Sequence, residues 1–214
     1  GIEWENHEQK IFQNWMENVK DDDLVLIPGD ISWALKLEEA KVDLMKINEL
    51  PGEKILIKGN HDYWWSSVAK LNSLGLNTMH FLKNDSYLYH GIAIAGTRAW
   101  SSKDYELFTE DDLKIYNREL VRLENSLNTI SKSAKLKIAM LHYPPFDLNL
   151  KPNDFFYILK KYDVNICVYG HLHSQGHKYA VEGDVDGIMC HLVSSDYLDF
   201  KLKKIWSDEI ESNR

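Results

Sequence analysis

Residues 54–62 read Lys54-Ile55-Leu56-Ile57-Lys58-Gly59-Asn60-His61-Asp62. The apolar run is short and β-branched enough for a buried strand, and the glycine ends it. Three polar side chains then stand in a row at the strand's carboxyl end. By themselves Asn60, His61 and Asp62 could form a turn whose side chains bond nearby backbone. Their weight comes from repetition. Leu24-Val25-Leu26-Ile27 runs into Pro28-Gly29-Asp30, Leu136 to Leu141 into His142-Tyr143-Pro144-Pro145, and Val164 to Tyr169 into Gly170-His171-Leu172-His173. In open α/β sheets, loops at the carboxyl ends of strands converge on one crevice. These loops would gather Asp30, Asn60, His61, Asp62, His142, His171 and His173, the oxygen and imidazole donors that zinc, manganese or iron accept. Glycine beside a donor removes the Cβ that would block a tight turn or an approaching anion.

Between the strands the apolar period lengthens. Trp4, Ile11, Phe12, Trp15 and Val19 predict an amphipathic helix over residues 4–19, and a second helical pattern covers Leu37 to Leu50 before Pro51-Gly52. A shorter helix is expected through Val68, Leu71 and Leu74 to Gly75. Residues 87–95 read as strand material around His90-Gly91, ending at Gly96-Thr97-Arg98. Thr109 with Asp112 resembles a capping box, and Leu113, Tyr116, Leu120, Leu123, Leu127 and Ile130 continue it as the longest helix. A short helix near Phe155 to Lys161 and a strand from Ile188 to Val193 complete the pattern. Helices alternate with strands early and strands dominate late. The expectation is an α/β fold, mixed β-sheets in a sandwich flanked by helices. Repeats, low-complexity runs and linkers are missing, so residues 1–214 are read as a single domain.

Composition bounds the function. A net charge of −8 argues against a Lys/Arg grip on nucleic acid. A metal-centred phosphate site escapes that objection, because cations supply the positive charge. Cys167 and Cys190 stand alone inside apolar runs, which predicts buried thiols in a reducing, cytoplasmic setting rather than a disulfide framework. No stretch approaches the ~20 apolar residues of a membrane span. The motifs of P-loop ATPases, dinucleotide-binding folds, zinc proteases and serine hydrolases are missing.

Gly29-Asp30, Gly59-Asn60-His61-Asp62, the lone His142 and Gly170-His171-Leu172-His173 resemble four of the five sequence blocks of calcineurin-like metallophosphoesterases, in family order across about residues 24–175. The Asn-His-Asp-Tyr-Trp-Trp stretch and Gly96-Thr97-Arg98-Ala99-Trp100 look like a bacterial subgroup of predicted phosphohydrolases. The resemblance implies two divalent cations (Mn, Fe or Zn). Asp30 would bridge them, with Asn60, His142 and His171 on one and His173 on the other. His61 would serve as the leaving-group acid, oriented and electrically supported by Asp62. The implied reaction is hydrolysis of a phosphate mono- or diester, a small molecule or a nucleotide. A hydroxide shared by cations ~4 Å apart would attack phosphorus, the pKa of its parent water being lowered towards ~7.

Two departures qualify the resemblance. The family's opening Asp-x-His block, which supplies two ligands to the metal of His173, has no counterpart before Asp30. With Gly1 in place of an initiator Met, the expectation is an N-terminally truncated domain lacking its first strand, natural loss being the alternative. Ile31-Ser32-Trp33 also follows the Gly-Asp block where an acidic residue is usual. Alternatives to the enzyme are a non-catalytic protein-binding scaffold on the same fold and a single-metal structural protein. Arg98 is a candidate phosphate contact or a structural arginine. Tyr143, with Tyr63, Trp64 and Trp65, is a candidate substrate wall or ordinary core. His177 is read as a loop histidine, with a place behind a ligand as the alternative.

Overall fold

The structure, a computed structural model, describes residues 6–208. Its elements are α1 (His7–Asn18), β1 (Leu24–Ile27), α2 (Leu37–Glu49), β2 (Glu53–Leu56), α3 (Val68–Asn72), β3 (Met79–Phe81), β4 (Ser86–Tyr89), β5 (Ile92–Thr97), α4 (Glu110–Asn128), β6 (Leu136–Leu141), α5 (Asp154–Lys161), β7 (Ile166–Tyr169), β8 (Gly183–Val185) and β9 (Ile188–Leu192). They form a three-stranded sheet, β1-β2-β3, and a six-stranded sheet, β4-β5-β6-β7-β9-β8. The smaller sheet is parallel throughout, whereas the larger is parallel from β5 to β9 and antiparallel at both edges.

Three apolar clusters define the layers. Ile55, Ile57, Leu82, Ile94, Ile138, Met140, Ile166 and Val168 pack between the two sheets. Trp15, Leu37, Ala40, Leu44 and Ile47 bring α1 and α2 onto the smaller sheet, and Tyr116, Leu123, Phe155 and Leu159 bring α4 and α5 onto the larger one. The result is the expected α/β sandwich with helices outside. Its two parallel regions aim the carboxyl ends of β1, β2, β5, β6 and β7 at shared ground.

Trp4, at the start of the helix predicted over 4–19, lies outside the described residues. The strand material read around His90-Gly91 is a hairpin, β4 to β5, turned by His90 at φ 49° and Gly91 at φ 81°. The capping box is present, Thr109 Oγ1 accepting from the Asp112 amide at 3.2 Å while Asp112 Oδ2 accepts from the Thr109 amide at 2.8 Å. The inward face of α4 differs from the leucine stripe. Glu119 and Ser126 are buried beside Tyr116, Leu123 and Leu127, and Leu113 is exposed. Hydrogen bonding explains the exchange: Glu119 accepts from Thr97 Oγ1, and Ser126 Oγ accepts from the Gly96 amide at 2.9 Å. Cys167 and Cys190 are buried free thiols on β7 and β9. Among the described residues, no helix is long and apolar enough to cross a membrane.

Candidate metal centre

The turn after β1 is unusual backbone. Gly29 has φ 95° and Asp30 has φ 53°, the left-handed region that most L residues avoid. Asp62 holds the turn in place. Its carboxylate accepts hydrogen bonds from the amides of Asp30 (2.7 Å), Ile31 (2.8 Å), Ser32 (3.1 Å) and Gly59 (2.7 Å), and from Trp64 Nε1 (3.2 Å). Burial, first of all, raises its pKa. Gly59 makes the close approach possible, since a Cβ there would lie 2.2 Å from the Asp30 amide nitrogen and 2.3 Å from its Oδ1. Asp62 thereby locks the β1 and β2 loops together. Both carboxylate oxygens accept from these donors, and the His61 ring is not among them.

His61 is positioned by aromatic neighbours. Its Nδ1 lies 3.1 Å from the Tyr63 hydroxyl, and Trp33 stacks on the imidazole at 3.6 Å between centroids and 15° between planes. Its backbone amide donates to Asp30 Oδ1 at 2.9 Å, which leaves Asp30 Oδ2 facing His142.

At His142 the donor atoms converge. The ring is 1% exposed, and its Nδ1 lies 2.8 Å from the Pro28 carbonyl. A carbonyl accepts only, so Nδ1 carries a proton and Nε2 presents its lone pair in the neutral ring. Yet Nε2 faces Asn60 Oδ1 at 2.8 Å and Asp30 Oδ2 at 3.4 Å. Three lone pairs pointing at one another repel unless a proton or a cation sits among them. A histidine whose other nitrogen donates to a backbone carbonyl is the common arrangement of a metal ligand.

His171, at φ 69°, places its ring 5.2 Å from that of His142, centroid to centroid. Its Nδ1 is buried and has no hydrogen-bond partner among the described residues. Burial, with the neighbouring His142, pushes its pKa down to about 3, so the ring is neutral at neutral pH, the form that ligates. Burial works to raise the Asp30 pKa, but a protonated His142 and the neighbouring His61 together outweigh it and the carboxyl is lowered. The donor set and the orphaned nitrogen suit a divalent cation in chemistry. Among the described residues, no three His, Cys, Asp or Glu side chains are already spread around a cation-sized space; Asn60, Asp30 and His142 close on one another instead.

His173 pairs with a carboxylate on the loop after β9. Its Nδ1 is 2.8 Å from Asp196 Oδ1, and His177 Nε2 is 3.2 Å from Asp196 Oδ2. His177 therefore stands behind His173 through a shared carboxylate, and is not merely a loop histidine. Sequence reading missed Asp196, although it follows β9 as the other donors follow their strands. Tyr143 is 6% exposed, with its ring 4.1 Å from that of His171. Burial pushes its hydroxyl up to about 12. It backs a ligand candidate. The backbone carbonyl of Arg98 accepts from the amides of His142 (3.2 Å) and Tyr143 (3.0 Å), while its guanidinium pairs with Glu119 at 3.4 Å. A lone glutamate on the buried face of α4 is the signal that could have revealed this partner.

The structure is a two-sheet α/β sandwich with oxygen and imidazole side chains at successive strand ends. The chain belongs to the calcineurin-like phosphoesterase family, whose sequence profile matches residues 6–175. It is also similar to a probable cyclic nucleotide phosphodiesterase of Coxiella burnetii, 25% identical over 171 residues that cover 71% of this chain and 60% of the relative. The chain thus spans about three fifths of that relative's length.

Proposed function

We propose that the protein hydrolyses phosphate esters with divalent cations at the β1, β2, β6 and β7 loop ends. Convergence at His142 carries the reading, since Nδ1 is committed to Pro28 while Nε2, Asn60 Oδ1 and Asp30 Oδ2 share one small space. Asp30, Asn60, His142 and His171 would hold one cation, and His173, oriented by Asp196, would serve a second. Bound cations of this kind supply Lewis-acid charge to phosphoryl oxygens and acidify water. Manganese, iron and zinc all suit these donors.

The chain's own groups do the rest. Asp62 fixes the Asp30 loop in its left-handed turn. His61, held by Tyr63 and by the Trp33 stack, donates a proton to the departing oxygen, a contribution on the order of 10²- to 10⁴-fold. The relative's name supports phosphodiesters, cyclic nucleotides included, as the first substrate class to try, with phosphomonoesters beside them.

The experiment is metal analysis run beside hydrolysis on chelator-stripped, manganese-reloaded protein. Asn60→Ala and His142→Ala should lose bound manganese and turnover in proportion. Full turnover in either variant would overturn the ligand assignment.

A further inference from the structure

A cavity of about 330 Å³ opens beside the candidate metal centre, between the loops that follow β2, β3 and β5 and the inward face of α4. Its charged lining is Lys58, Lys83, Arg98, Arg122 and Glu119, four cations against one carboxylate. In a chain of net charge −8 such a concentration of positive charge is not a property of average composition. Like charges crowded into a concave wall repel, so the arrangement lacks a counter-charge from the protein.

Glu119 does not satisfy these cations. It is 1% exposed and already accepts from Thr97 Oγ1, from Arg122 Nη1 at 2.8 Å and from Arg98 Nη2 at 3.4 Å. What Glu119 does is hold the two guanidinium groups at the cavity wall. Arg98 Nε remains buried with no hydrogen-bond partner among the described residues, an orphaned donor that normally marks a missing acceptor. Neither Lys58 nor Lys83 has an ion-pair partner among the described residues, the nearby Asp85 carboxylate being engaged by His80 and by the Lys83 amide. Asp196 and the candidate metal donors do not line the cavity.

We infer that this cavity binds a phosphate group, distinct from the phosphate under attack at the metal centre. Two guanidiniums and two ammoniums lining one cavity suit a tetrahedral dianion, which offers acceptors for the arginine forks and charge for the lysines. A carboxylate ligand would leave most of these donors unmet. The loops of Lys58 and Arg98 lead directly into Gly59-Asn60 and onto the backbone of His142, so an occupant here is a near neighbour of the reacting group. The phosphate is either a second phosphate of the substrate or a free phosphate that reports cellular supply or product.

The test uses metal-free protein in chelator at low salt, titrated calorimetrically with inorganic phosphate. Binding there depends on neither cations nor turnover, so its failure is distinguishable from failure of the hydrolase reading. The expected result is one phosphate per chain. Lys83→Gln combined with Arg122→Gln should weaken binding by about tenfold or more, the scale of one charge-assisted hydrogen bond. Lys83→Gln alone, at an exposed position, guards against a fold defect and should weaken binding in the same direction. A wild-type protein that binds no phosphate, or variants that bind it unchanged, would overturn the assignment. The source follows from manganese-loaded protein and propane-1,3-bisphosphonate. Tighter binding than phosphate, with the gain lost in the double variant, assigns the cavity to the substrate. Absence of a gain, with cavity binding of phosphate intact, assigns it to free phosphate.

Discussion

Replacing Asp62 by asparagine separates two jobs that this residue could have. Its Oδ2 accepts from the amides of Asp30 and Gly59 at 2.7 Å each, and its Oδ1 accepts from Ile31, Ser32 and Trp64. Asparagine keeps one oxygen and substitutes an NH2 for the other, so at best two buried amides face a donor. Each stranded amide costs about 1–3 kcal/mol, or about 2–6 kcal/mol for the pair. Burial already holds the carboxylate pKa up, so removing the charge returns part of that penalty. A net loss of about 3 kcal/mol is expected. With an m-value of roughly 2 kcal/mol/M, the urea midpoint of metal-free protein should fall by about 1.5 M. Manganese affinity should fall with it, because the Asp30 turn loses its clamp. A midpoint shift under about 0.3 M, with turnover lost only on poor leaving groups, would refute the reasoning and return Asp62 to supporting His61.

Gly59→Ala should also abolish manganese binding, since its Cβ would collide with the Asp30 amide and carboxylate at 2.2 and 2.3 Å. A wild-type metal content in that variant would contradict the loop packing. His171 makes stability pH-dependent: the unfolded ring takes a proton near its ordinary 6.5, whereas the folded ring resists to about 3. Between those values the unfolded state holds more protons, so metal-free protein should lose up to ~1.4 kcal/mol per unit as pH falls. His171→Asn should remove that component, and parallel pH–stability curves would show the ring to be solvated. His61→Ala should slow turnover about 10²-fold or more on esters with poor leaving groups and far less on nitrophenyl esters. Equal losses on both would rule out the acid role.

Much of this was legible because strand ends and polar residues are written next to each other. Only Ile57 and Lys58 separate β2 from the Gly-Asn-His-Asp run, and Gly170-His171 follows β7 directly, so local order puts the candidate donors at strand ends. The capping box of α4 was readable for the same reason, its two partners being three residues apart. What sequence could not show was where each side chain points. Asp62 adjoins His61 in the chain but turns to amides 30 or more residues away on another loop. Glu119 and Arg98 are separated by 21 residues, and His173 and Asp196 by 23, so only the sheet topology brings those pairs together. β3 carries three residues and β8 three, too few for a period to register.

The central claim is that Asp30 and its neighbours hold the cations of a phosphoester hydrolase. It is tested most directly by manganese-dependent hydrolysis of bis-nitrophenyl phosphate beside a nitrophenyl phosphomonoester, for the wild type and for Asp30→Asn. The account predicts turnover that requires the metal, stops with chelator and disappears in the variant. A folded protein that binds manganese yet hydrolyses neither ester, or an Asp30→Asn protein as active as the wild type, would contradict it.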